Sequence, residues 1–125
     1  MRKISTAGWL GCVAATALIF TPAAQAMAQD GPTQLTFTRD AADQPLRTVT
    51  LSCDPDIGSH PDIDAACRYL EATADLTLPE ESPEVRCIRY NPVSLRATGT
   101  LHGRPITEQR TYSCVVPDLP PPWQF

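Results

Sequence analysis

Val93-Ser-Leu-Arg-Ala-Thr-Gly-Thr-Leu101, His102-Gly103, Arg104-Pro-Ile-Thr-Glu-Gln-Arg-Thr-Tyr112. Val93, Leu95 and Ala97 alternate with Ser94, Arg96 and Thr98, and Gly99 and Leu101 continue the pattern less cleanly. Alternation at period two puts one set of side chains in a core and the other in water, which is the signature of a half-buried strand. His102-Gly103 is a two-residue turn, and Arg104 to Tyr112 is the return strand. This hairpin sets the fold class. Cys114 lies just past the hairpin and Cys87 just before it, so the two face each other across its base.

Between Cys87 and the hairpin stands Arg86-Cys-Ile-Arg-Tyr-Asn-Pro-Val93. A cysteine, a cation, an aromatic, a turn residue and a proline in that order read as a recognition loop. Cys87 would pin it, Pro92 would stiffen it, and Arg89 would be the side chain offered to a partner.

Upstream, Leu35 and Phe37 alternate with polar residues over Thr33–Thr38, and Val49, Leu51 and Cys53 share one face of Leu46–Cys53. Arg39 to Gln44 joins them as a turn, making a first antiparallel hairpin. Asp54 to Pro61 is dense in turn formers. Asp62 is the N-cap of an amphipathic helix over Asp62–Ala74, with Ile63, Ala66, Cys67 and Leu70 at helical spacing. Cys67 on its buried face comes within reach of Cys53. Closing that ring removes about 3 kcal/mol of unfolded-chain entropy. Asp75 to Val85, with Pro79, Pro83 and three glutamates, is an exposed connector with at most one helical turn. The proline-rich tail ends Trp123-Gln124-Phe125, an aromatic pair that either packs back on the sheet or stays loose.

The ends bound the class. Arg2 and Lys3, the apolar run Gly8–Phe20, Pro22 and the small-x-small sites Ala24-Gln25-Ala26 and Ala26-Met27-Ala28 make residues 1–28 a secretory signal peptide. A lipoprotein signal using Cys12 is disfavoured, because Leu10 sits one place too late for a lipobox. The domain is then residues 29–125. It keeps eight basic against fourteen acidic residues, a net charge of −6, and no lysine. Such a chain excludes nucleic acid and, after signal cleavage, membrane as partners.

Cys53, Cys67, Cys87 and Cys114 remain, an even count that in an exported chain implies a disulfide framework. Counting alone does not choose among the three pairings. Zinc needs closely spaced Cys or His pairs, which are missing, so no metal or cofactor is expected. Asp54 and Asp56 form only a fragment of a calcium loop. His60 and His102 read as turn residues in contact with solvent. The sequence has no Gly-x-Ser-x-Gly, His-Glu-x-x-His or phosphate-cradling motif, so the chain is not read as an enzyme.

Six pieces in order resemble the Streptomyces subtilisin inhibitor family of secreted serine-protease inhibitors. They are Thr48–Pro55, Gly58–Pro61, Ala65-Ala66-Cys67, Tyr90–Val93, Thr98–Ile106 and Trp123-Gln124-Phe125. The resemblance implies an α+β, two-layer sandwich with a five-stranded antiparallel sheet and two helices on one face. It implies Cys53–Cys67 and Cys87–Cys114 as the disulfides, a homodimer, and an extracellular or periplasmic serine protease as partner. Carried onto this chain, it makes Arg89–Tyr90 the scissile bond with Arg89 at P1, supported by Cys87, Ile88, Asn91 and Pro92. The spacing from Cys87 to Tyr90 is one residue shorter than the family's, so Ile88 and Tyr90 stand as rival P1 positions. The segment before Cys114 is also shorter and lacks the family's asparagine. The competing function is a secreted or periplasmic binding module on the same scaffold that has lost inhibition. A small hydrolase ranks last.

Overall fold

The computed structural model describes residues 31–125. The leader read in residues 1–28, with Cys12, lies outside them. Five strands and one α-helix follow in the order β1 (Thr33–Ala41), β2 (Arg47–Cys53), β3 (Ile57–Gly58), α1 (Ile63–Thr73), β4 (Val93–Leu101) and β5 (Arg104–Tyr112). They form one antiparallel sheet in the order β3-β2-β1-β4-β5. The first strand in the chain is therefore the central one.

Register follows from the alternation. Leu35 pairs with Leu51 and Phe37 with Val49 on one side of β1, and Phe37 pairs with Ala97 on the other. These residues, with Val93, Leu95, Leu101 and Tyr112, make a buried face. Threonines at 48 and 50 stand exposed on the other, where β-branched polar side chains suit a pleated, wetted surface. At Gly99, opposite Leu35, a Cβ would collide with the Gln34 carbonyl oxygen, and the backbone has φ +141°. Only glycine lets the strands close there.

The second layer is α1 and the chain on either side of it. The Asp62 carboxylate accepts the Ala65 N–H at 3.2 Å, capping the helix. Ala74, in a left-handed conformation, closes the far end by donating to the Leu70 carbonyl. Ala66, Cys67 and Leu70 face the sheet.

Two expectations need correction here. Among the described residues there is one α-helix rather than two; its nearest companion is a 3₁₀ turn at Pro121–Trp123. The connector after α1 is not simply exposed. It runs extended, and Leu76 and Leu78 are both buried. Pro79 and Pro83 bar a helix, while side chains two apart on an extended chain reach the same core.

The tail packs back. Trp123 is fully buried, its ring set edge-on to Phe37 at 5.1 Å, and its indole N–H donates to the Leu76 carbonyl at 3.0 Å. His60 also departs from its expected place in solvent: it is 4 % exposed. Its Nδ1 accepts the Asp62 N–H at 3.0 Å, so Nε2 carries the proton and donates to the Pro122 carbonyl at 2.9 Å. Only the neutral ring satisfies both partners. His102 is half-buried, with Nε2 3.1 Å from the Leu70 carbonyl.

Candidate functional site

The segment from Arg86 to Pro92 has no regular secondary structure and leads straight into β4. It leaves the frame at the end of the sheet where Ala41 pairs with Val93. Arg86, Cys87, Ile88, Arg89 and Tyr90 are all exposed. Ile88 is fully so and Tyr90 is 70 % exposed. An apolar and an aromatic side chain held in water, flanking an exposed arginine, have no role in the core. Their exposure marks a contact surface.

The loop is tied on both sides of Arg89-Tyr90. Cys87 is joined to Cys114, with Cα atoms 5.9 Å apart. Asn91 N–H donates to the Ser113 carbonyl at 3.0 Å, and its side-chain amide reaches the Asp43 carboxylate at 3.4 Å. The second disulfide, Cys53–Cys67, fastens β2 to α1 at the other end of the sheet. Both expected pairings are present.

The base of the loop has supports that no sequence pattern marks. The Glu81 carboxylate accepts the Ser113 N–H at 2.8 Å and the Ser113 hydroxyl at 3.0 Å. Tyr112 OH donates to the Pro79 carbonyl at 2.6 Å. Burial pushes the Tyr112 hydroxyl above its ordinary pKa, with Glu108 and Glu81 acting in the same sense and Arg110 against them. Glu81 lies 32 residues before Ser113, and no local pattern links them.

Other candidate chemistry does not converge. An open polar cleft of about 560 Å³ lies beside α1 and is lined by Asp54, Asp56, Asp64, Arg68, Glu71 and His102. It sits by Thr33 and Cys53, at the opposite end of β1 from the loop. Cys53, Cys67 and Asp56 come close together there, but both sulfurs are committed to the disulfide and offer no thiolate. His60 and His102 are engaged by backbone carbonyls on the frame. Among the described residues, no helix is long and apolar enough to cross a membrane.

A small α+β frame with two disulfides holds this exposed loop fixed at both limbs. The chain belongs to the subtilisin inhibitor-like family, whose model matches residues 31–114. The family consists of protease inhibitors, not enzymes. Subtilisin inhibitor-like protein 2 of Streptomyces rochei is 41 % identical over 76 residues, which is 58 % of this chain and 67 % of that protein. Trypsin inhibitor STI2 of Streptomyces longisporus is 31 % identical over 126 residues, covering 86 % of this chain and 88 % of that one. Among solved structures, Streptomyces caespitosus sermetstatin, in complex with Bacillus licheniformis subtilisin, matches with a TM-score of 0.53 and 32 % identity. That match covers 66 % of this chain and 84 % of sermetstatin.

Proposed function

We propose that this protein is a secreted inhibitor of serine proteases that acts as a substrate mimic, with Arg89–Tyr90 as the bond it offers and Arg89 at P1. The observation that carries the reading is the double tether: Cys87 is fixed to Cys114 on one side of that bond, and Asn91 to Ser113 on the other. A protease binds its substrate extended. A loop already held in place loses little conformational freedom on docking, so its contacts appear as affinity. After cleavage both new ends stay anchored, and the Tyr90 amine remains beside the Arg89 acyl group to close the bond again. Arg89 would reach an acidic S1 pocket through a charge-assisted fork, which favours trypsin-like enzymes and leaves subtilisin-like ones accessible. The relatives named as a trypsin inhibitor and as a partner of subtilisin support both target classes.

Export directed by residues 1–28, an extracellular or periplasmic protease partner and a homodimer complete the reading. The domain would be residues 29–125. The test is a titration of the mature protein against trypsin and against subtilisin. A stoichiometric end point with trypsin, abolished in Arg89→Glu, is the expected result. The same titration with Ile88 or Tyr90 replaced locates P1 among the three neighbours.

One feature favours a non-inhibitory binding module on this scaffold: only Ile88 and Arg89 separate Cys87 from Tyr90, so the loop is short. Steady cleavage of the protein by both enzymes with no loss of their activity would establish that reading instead.

A further inference from the structure

We propose that Glu81 is a positioning residue for the loop, and that it governs whether a cut Arg89–Tyr90 bond is closed again or lost. The inference rests on the inhibitory reading above. It starts from the dipeptide Ser113-Cys114, which holds both halves of the loop. Cys114 carries the disulfide to Cys87, on the acyl side of the offered bond. The Ser113 carbonyl accepts Asn91 N–H at 3.0 Å, on the amine side. The separation of the two halves after cleavage therefore depends on this dipeptide, with the Asn91 side chain held separately at Asp43.

Ser113 follows the last residue of β5, so sheet pairing does not fix it. Glu81 does. One carboxylate oxygen takes the Ser113 N–H at 2.8 Å and the other takes its hydroxyl at 3.0 Å. With N–H and side chain both engaged, rotation of Ser113 is restricted and its carbonyl keeps its aim at Asn91. Hydrogen bonds to an ionised acceptor are about twice as strong as neutral ones. The connector bearing Glu81 is itself fastened two residues earlier, where the Pro79 carbonyl takes the Tyr112 hydroxyl at 2.6 Å. Leu78, fully buried, roots it in the core. Glu81 thus transfers the rigidity of the frame to the one point where both limbs of the loop meet.

Three variants of the full mature chain test this: Glu81→Ala, Glu81→Gln and Ser113→Ala. Glu81→Ala removes both bonds. It should weaken inhibition of trypsin about tenfold and raise the rate of cleavage at Arg89–Tyr90 by a similar factor. Glu81→Gln keeps one acceptor for Ser113 N–H, and the Ser113 hydroxyl can turn to accept from the new amide. With neutral bonds in place of charge-assisted ones it should recover only about half of the loss, whereas a merely packed side chain would be restored in full by the isosteric amide. In Ser113→Ala the effect of Glu81→Ala should shrink, because one of its two bonds is already gone. A readout independent of any protease is amide hydrogen exchange at Asn91 and Ser113 in the free protein. Both amides should exchange faster in Glu81→Ala while the β4–β5 amides do not. If wild type fails to inhibit but Glu81→Ala still frees the two amides, the functional reading falls and the clamp stands. If the amides and the cleavage rate are both unchanged in Glu81→Ala, the proposal is overturned.

Discussion

Cutting the tie between Cys87 and Cys114, by Cys87→Ser with Cys114→Ser, should reduce stability and binding by separate routes that can be measured apart. Cys87 is exposed and Cys114 only half-buried, so replacing both sulfurs leaves no sizeable cavity. The stability lost is then chiefly the entropy regained by the unfolded chain. For a sequence separation of 27 residues, the loop-closure relation gives about 3.5 kcal/mol. In a domain of this size that corresponds to a fall in melting temperature of about 15 °C or more. In the folded protein the same change frees the acyl limb of the loop. Ordering two or three backbone residues again on docking costs about 3 kcal/mol, or roughly a hundredfold in inhibition constant. Calorimetry reads the first quantity. Titration against trypsin, well below the melting temperature, reads the second. The Cys53–Cys67 pair serves as the control. Its ring of 14 residues predicts about 3 kcal/mol, increased by the loss of Cys67 from the core, yet it lies at the far end of the sheet from Arg89. Its removal should lower the melting temperature and leave the inhibition constant of the folded protein unchanged. If the Cys87–Cys114 variant melts within a few degrees of wild type and inhibits equally well, both the entropic and the tethering arguments fail.

Other perturbations test the frame. Trp123→Ala should cost about 3–5 kcal/mol, because it empties the space beside Phe37 and strands the Leu76 carbonyl that accepts the indole N–H. A loss under about 1 kcal/mol in chemical denaturation would mean that the tail does not complete the core. Tyr112 should appear on the alkaline side. Its folded pKa lies above the ordinary 10.0, mainly through burial. The neutral form is the one the fold favours, so its contribution is whole below pH 10 and is lost as pH rises through the folded value. Tyr112→Phe should flatten that alkaline limb and lower neutral-pH stability by about 1 kcal/mol through the lost bond to Pro79. An unaltered alkaline melting profile would contradict the assignment.

What the sequence discloses here is what local chemistry writes. The limits of β4 and β5 can be read to the residue, because alternation and a two-residue turn specify them without reference to the rest of the chain. At α1 the N-cap is legible too, Asp62 standing three residues before the amide it caps, while the helix itself, Ile63–Thr73, falls one residue inside the expected limits at each end. Features made by distant partners stay hidden. β3 is two residues long, too short for any period, and exists because Gly58 lets the chain pass close to Thr50. Leu76 and Leu78, just ahead of Pro79, are too short a run to carry a period, and the Trp123 indole that donates to the Leu76 carbonyl lies 47 positions away. His60 looks like a turn residue until Pro122, 62 positions away, supplies its acceptor. At the loop, the tethering cysteines are visible as residue types. Glu81, among three glutamates of one connector, is distinguished only by Ser113.

The central place of β1 constrains the order in which the molecule can assemble. β1 meets β2 within a few residues of its own end, but its other neighbour, β4, begins at Val93. As the chain is delivered from its N-terminal side, one edge of β1 stays open while some fifty residues follow, and an open edge invites pairing with other chains. Over the same interval Cys53, Cys67 and Cys87 are all present before Cys114. Three thiols with one correct pair among them make a window for mispairing. Closure of α1 onto β2 brings Cys67 against Cys53 across only 14 positions, against 27 for Cys87 and Cys114, and if it comes first it narrows that window. Sequence proximity of the first disulfide would then act as a timing device for the second.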